Sequence, residues 1–151
     1  MREIKVQEIT AAVSKLCKDS CYYLPEELLE KLKASITTEE SPLGQEILTT
    51  IVENAELAKA KDVPICQDTG MTVVFLRIGQ EVHIDGDFLE DAVNEGIRQG
   101  YAEGYLRKSV VSDPILRENT KDNTPGVIHY EIVPGCLLYT SPSPRDMRRS
   151  R

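Results

Sequence analysis

Gly96, Gly100 and Gly104 recur every fourth residue along the segment Phe88 to Tyr105, where Leu89, Ala92, Val93, Ile97 and Tyr101 repeat at helical spacing. Each glycine costs a helix about 0.8–1 kcal/mol relative to Ala. Three on one face therefore need an offsetting contact, and the spacing predicts another backbone packed closely against this helix rather than a ligand site. The same repeat can mark helix dimers in lipid. No apolar run in this chain approaches a membrane span, so that reading does not apply.

A helix is expected over residues 8–21 from Ile9, Val13, Leu16 and Cys17, and a second begins at Pro25 with Leu28, Leu29, Leu32 and Ile36. These two are expected to pair. Ser41-Pro42 supplies an N-cap and a first-turn proline for a third helix, with Leu43, Ile47, Leu48, Ile51, Ala55 and Ala58 inward, running to about Lys61. Thr72 to Ile78 reads as a strand, with Gly79-Gln80 turning it into a hairpin with residues 81–84, and Asp85-Gly86-Asp87 caps the glycine-faced helix. Residues 106–126 are polar and turn-rich, a length that is often functional inside a domain, and Val127–Val133 returns to strand. From Cys136 onward, Ser141-Pro142-Ser143-Pro144 and an arginine-rich end carry neither period nor core. The expected fold is α+β: a helical N-terminal third, then a small mixed or antiparallel sheet with the packed glycine-faced helix, forming a truncated domain over 1–135 with a disordered tail over 136–151.

With two Phe, six Tyr and no Trp, the core must be built from Leu, Ile, Val and Ala. The formal charge of −7 includes +3 from residues 136–151, leaving −10 for residues 1–135. A body this acidic argues against nucleic acid, which is bound by neutralising phosphates with Lys and Arg. The start, Met1-Arg2-Glu3-Ile4-Lys5, offers no apolar secretion signal, so a cytoplasmic location is expected. The four cysteines, at 17, 21, 66 and 136, then read as thiols, metal ligands or packed residues rather than a disulfide framework.

The densest chemistry lies in Pro64-Ile65-Cys66-Gln67-Asp68-Thr69-Gly70, between the third helix and the first long strand. A soft ligand, an amide, a carboxylate and a hydroxyl occupy four consecutive positions, and Gly70 relieves the backbone where the turn becomes strand. On residue type alone, Cys66 reads equally as a ligand or a buried thiol. Asp68 could simply bond its own turn, and Arg107, after the glycine-faced helix, could be a solvated charge favoured by the helix dipole.

Five pieces in order carry a resemblance: Cys21-Tyr22-Tyr23-Leu24-Pro25; Glu40-Ser41-Pro42-Leu43-Gly44; Pro64 to Gly70; Gly100-Tyr101-Ala102-Glu103-Gly104-Tyr105-Leu106-Arg107-Lys108-Ser109; and Asn119-Thr120-Lys121-Asp122-Asn123-Thr124-Pro125. From Ile9 to Gly135 the chain resembles the start of the alpha subunit of class I, iron-sulfur-dependent fumarate hydratases, a family shared with L-tartrate dehydratase. It covers about the first half of such a subunit. After Gly135 it departs from the family, and residues 136–151 resemble translated sequencing-adapter sequence, which makes a non-native tail the expectation.

The resemblance implies a hydro-lyase that reversibly hydrates fumarate to malate, as in the tricarboxylic acid cycle, or dehydrates a related 2-hydroxy dicarboxylate such as tartrate. It implies Cys66 as one of three thiolate ligands of a 4Fe-4S cluster whose open iron acts as a Lewis acid, the other two ligands lying outside this chain. Gln67, Asp68 and Arg107 become substrate-binding residues, with Asp68 also catalytic through proton transfer. The implied partners are a small dicarboxylate and a beta subunit or C-terminal beta domain, in a homo- or hetero-oligomer, with no nucleic acid and no membrane. Cys17 and Cys21, one helical turn apart, are not ligand positions in the family and are expected in the core, while Cys136 belongs to the tail. His83 and His129 stand alone on strand-like segments, and Asn123 and Thr124 carry no implied role. The fragment alone is expected to be inactive. The alternative reading is a catalytically inert subunit-association module.

Overall fold

A computed structural model describes residues 1–142, with side chains to residue 140. In chain order it has β1 (Arg2–Lys5), α1 (Val6–Tyr22), α2 (Glu26–Thr38), α3 (Pro42–Lys61), β2 (Val73–Gly79), β3 (Val82–Asp85), α4 (Leu89–Glu103), β4 (Val127–Val133) and β5 (Leu138–Pro142). The fold is α+β, as expected. Among the described residues no helix is long and apolar enough to cross a membrane.

The glycine face of α4 lies against α1. A Cβ added at Gly96 would stand 2.6 Å from the Thr10 carbonyl oxygen, and one at Gly100 would stand 2.8 Å from that of Ser14. Only glycine lets the two backbones approach this closely. Polar groups close the same seam: Thr10 Oγ1 donates to the Ala92 carbonyl at 2.9 Å, Tyr22 Oη donates to the Gly104 carbonyl at 3.0 Å, and Lys18 pairs with Glu103 at 2.9 Å. Ile9, Val13 and Cys17 of α1 meet Val93, Ile97 and Tyr101 of α4 over Val74 and Leu76 of β2 in one buried cluster. Aliphatic side chains carry most of it.

Three expectations about pairing are corrected. α1 pairs with α4, and α2 pairs with α3 through Leu29 against Val52 and Ala55, so the first two helices are not partners. The glycine face outcompetes the neighbouring helix because it admits a closer approach. The Gly79-Gln80 turn does not close a hairpin. The amides of Gly79, Gln80 and Glu81 donate to the carbonyls of Leu137, Val133 and Gly135, which turns the chain away from β2. β3 instead runs parallel to β1, from Arg2 opposite Val82 to Lys5 opposite Asp85. The segment from 136 onward was expected to be structureless, yet Leu138–Pro142 forms β5, antiparallel to β2 with Ile78 opposite Leu138. The rest of that expected tail, residues 143–151, lies outside the described residues.

β2 is therefore the centre of a three-stranded mixed sheet, β4-β2-β5. β4 is parallel to it, from Val73 opposite Val127 to Gly79 opposite Val133, so α4 and the loop after it form the crossover a parallel pair needs. Ser41 caps α3 by accepting the Gly44 amide at 3.3 Å, as its sequence predicts. The expected core face of α3 is only partly right. Val52, Ala55 and Ala58 are buried, whereas Leu43, Ile47 and Ile51 are exposed, because the small residues form the stripe that α2 can approach. Asp85-Gly86-Asp87 does not cap α4 either. The N-cap position is Phe88, with no side-chain bond, and Glu90 and Asp91 in the first turn face the positive end of the helix dipole.

Candidate functional site

α3 ends at Asp62, which adopts the left-handed conformation at φ 51° and accepts a hydrogen bond from Tyr23 Oη at 2.6 Å. The chain then enters the Pro64–Gly70 turn, which is fastened on both sides of Cys66. On the near side, the Ile65 amide donates to the Cys21 carbonyl at 3.0 Å, and Asn54 Nδ2 donates to the Ile65 carbonyl at 2.9 Å. On the far side, Thr69 Oγ1 donates to the Arg107 carbonyl at 2.6 Å, and Asn123 Nδ2 donates to the Gly70 carbonyl at 3.1 Å. Gly70 sits at φ 62°, where a Cβ would meet no neighbour, so the backbone conformation and not crowding calls for glycine there.

Between these anchors, Cys66, Gln67 and Asp68 are all exposed. The Cys66 thiol faces the Asp68 carbonyl at 3.9 Å and also lines an apolar groove of about 370 Å³ between α2 and α3, with Leu24, Leu32, Ile51 and Ile65. A loop pinned at both ends presents its side chains outward with little freedom of the backbone that carries them. This arrangement suits a site that engages something outside the described residues. It does not suit a core cysteine.

Arg107 is exposed, and its backbone is held to the turn by Thr69. The structure thus brings together the two separate segments that hold the four candidate residues, Cys66, Gln67, Asp68 and Arg107. Tyr101 of α4 supports the junction from below. Its phenol accepts from Thr72 Oγ1 at 3.1 Å and shares its proton between the Thr69 and Gly70 carbonyls, each at 3.3 Å. Burial pushes that phenol up to about 12, so it remains a donor at neutral pH. Tyr101 was expected only as a core residue. Asn123, to which the sequence alone assigns no role, joins three segments. Asn directly after Asp in a turn-rich loop signals a left-handed position, which Asn123 adopts at φ 65°, but nothing local names its partners.

The other cysteines and histidines fall elsewhere. Cys17 is buried in the main core, where burial raises its thiol to about 12 and keeps it neutral, and Cys21 packs against the same cluster. Cys136, His83 and His129 are exposed, with the His129 ring stacked on Phe75 at 4.9 Å. Among the described residues no group of three or more His, Cys, Asp or Glu side chains could hold a metal ion.

Asp122, next to Asn123, is braced by its surroundings. Partial burial opposes its ionisation, but the Thr124 amide and hydroxyl, at 3.0 and 2.8 Å, and Arg98 Nε, at 3.1 Å, together hold the carboxyl down at about 2. Its folded pKa lies below the unfolded value, so the stability it contributes is present above about pH 4 and is lost as the pH falls toward 2. Because the group is partly solvated, about 1 kcal/mol is the expected size. Urea melts of Asp122→Asn should show a shallower loss of stability between pH 4 and 2 than the parent. Equal slopes would remove Asp122 as a brace of this loop.

The fumarate hydratase (Fumerase) family model matches residues 10–140. A protein of Methanocaldococcus jannaschii, provisionally named L(+)-tartrate dehydratase subunit alpha, is 34% identical over 118 residues, covering 77% of this chain and 41% of its own length. The L(+)-tartrate dehydratase subunit alpha of Escherichia coli K12 is 26% identical over 132 residues, covering 85% of this chain and 43% of its own length. The chain therefore spans about two-fifths of the length of the curated relatives it matches.

Proposed function

The chain belongs to the fumarate hydratase (Fumerase) family, and from that premise we propose that it supplies one side of the active site of an iron-sulfur hydro-lyase acting on fumarate or on a 2-hydroxy dicarboxylate such as tartrate. The observation that carries this reading is the doubly fastened turn that presents Cys66, Gln67 and Asp68 to solvent beside the Arg107 segment. A thiol held there can meet a group brought by other parts of a larger protein.

The donor set fits one corner of a 4Fe-4S cluster. Cys66 is exposed, and a thiolate is the ligand such clusters use, while Cys17 is enclosed in the main aliphatic core and so is not a second corner. Two further thiolates would come from outside this chain. When bound, the cluster would supply Lewis-acid polarisation of a substrate oxygen. The chain's own residues would do the rest. The Gln67 amide can donate to a substrate carboxylate or accept from its hydroxyl, the Arg107 guanidinium can hold a carboxylate in a fork, and the Asp68 carboxylate can take or return a proton at its oxygen. Fixing these groups on a pinned turn reduces the orientational entropy that the reaction must overcome.

The names of the relatives, subunits alpha of a tartrate dehydratase, support a beta partner within a hetero-oligomer. Leu43, Ile47 and Ile51 exposed along α3 favour a second reading, in which this chain serves only to associate subunits. Anaerobic iron-sulfur reconstitution of the full-length subunit with its beta portion separates the two. Cluster absorbance, with hydration of fumarate or dehydration of a 2-hydroxy dicarboxylate, is expected in the parent, and Cys66→Ala should lose both, with activity reduced by at least about a thousandfold. Full cluster uptake by Cys66→Ala would overturn the ligand assignment, and an inert assembled parent would favour the association reading.

A further inference from the structure

We propose that Asn123 is the positioning residue of this site, setting from the interior how the Cys66–Asp68 turn stands relative to Arg107; the inference rests on reading those four residues as the site. Asn123 is fully buried at 0% exposure, yet it belongs to no helix or strand. Its Oδ1 accepts two amides, Ser109 at 2.7 Å and Val110 at 3.1 Å, and its Nδ2 donates to the Gly70 carbonyl at 3.1 Å. One side chain thus binds the segment just after Arg107 and the end of the turn just after Asp68. Next to it, Thr69 fastens to the Arg107 carbonyl itself. Among the described residues no helix or strand pairing joins these two segments, so their spacing depends on these side-chain bonds together with those from Tyr101 to the Thr69 and Gly70 carbonyls.

The amide side chain suits this duty. It offers two acceptor lone pairs in one direction and donors in the other, a set that Asp or Ala cannot reproduce. Its left-handed backbone at φ 65°, which Asn tolerates better than most residues, turns the side chain inward from the loop. Asp122 and Thr124 on either side are bonded to each other, which steadies the turn around it.

The test compares Asn123→Ala and Asn123→Asp in the complete cluster-loaded enzyme, with site-resolved amide exchange as a readout independent of activity. Asn123→Ala is expected to speed exchange at Ser109 and Val110 about tenfold while Val93 and Ile97 in α4 stay protected, and to raise the KM for the dicarboxylate about tenfold with a smaller change in kcat. Asn123→Asp keeps an acceptor for both amides and should restore their protection without restoring KM, since the donor to Gly70 is gone. Thr69→Val, which removes only the neighbouring tie, should raise KM in the same direction even if the Asn123 variants fold poorly. An unchanged KM in folded variants, or exchange that accelerates evenly through α1 and α4, would overturn the proposal by making Asn123 a general stability residue. If the parent enzyme neither hydrates fumarate nor dehydrates a 2-hydroxy dicarboxylate, the functional reading fails separately, and the exchange pattern decides whether Asn123 sets the spacing.

Discussion

Gly96→Val is expected to destabilise the protein by about 3 kcal/mol, lowering its thermal midpoint by roughly 10 °C. The first added carbon alone would stand 2.6 Å from the Thr10 carbonyl oxygen and 2.8 Å from the Val13 Cβ, distances that neither a backbone group nor a packed β-branched side chain can relieve by rotating. Relief would require α1 and α4 to separate, which opens the cluster formed by Ile9, Val13, Val93 and Ile97 and strains the Thr10–Ala92 and Lys18–Glu103 bonds. Valine has only a slight edge over glycine in helix propensity, so little is returned locally. Ala102→Val, at an exposed position of the same helix, is the control, and its cost should stay under about 1 kcal/mol. Circular dichroism melts of the two variants decide the matter. A Gly96→Val midpoint within 2 °C of the parent would mean that the seam has room the structure does not show.

That seam was legible because α4 writes its demand locally, with glycines on one face and aliphatics beside them. What the sequence did not name was the partner. α2 follows α1 directly and looked like its mate, yet nothing in α2 offers a surface as closely approachable as Gly96 and Gly100. Strand β4 is legible to its ends because Val127–Val133 is a clear β-branched and aliphatic run, whereas β1 carries one buried apolar residue, Ile4, in four and gives almost no signal. The hairpin expected at Gly79-Gln80 failed for a related reason. Turn residues report where a chain can bend, and the choice of partner was made by the carbonyls of Val133, Gly135 and Leu137, more than fifty residues further on. The site divides in the same way. The concentration of functional groups at Cys66–Asp68 is local and visible, while Asn123 gains its role from Gly70, 53 residues earlier.

The sheet supplies the second large effect: Leu76→Ala should cost about 2–5 kcal/mol. Leu76 is fully buried at 0% exposure on the strand that pairs with both β4 and β5, and with Val74 it forms the face that meets α1 and α4. Shortening it removes apolar area from the packed interior and leaves a void lined by residues whose positions are set by two sheet neighbours and the glycine seam, so collapse around it is restricted. Ile132→Ala on β4 deletes a similar volume, but Ile132 is 74% exposed, and a change within about 0.5 kcal/mol is expected. The loss at Leu76 should also reach the candidate site. The β2 strand emerges from the turn at Thr72, whose hydroxyl binds Tyr101 and whose carbonyl accepts the Val127 amide at 2.9 Å. A loosened β2 therefore frees the support beneath Thr69 and Gly70, and Leu76→Ala should speed exchange at the Val127 amide even under conditions where the protein remains folded. Equal destabilisation by Ile132→Ala and Leu76→Ala would mean that the core lies on the other side of the sheet.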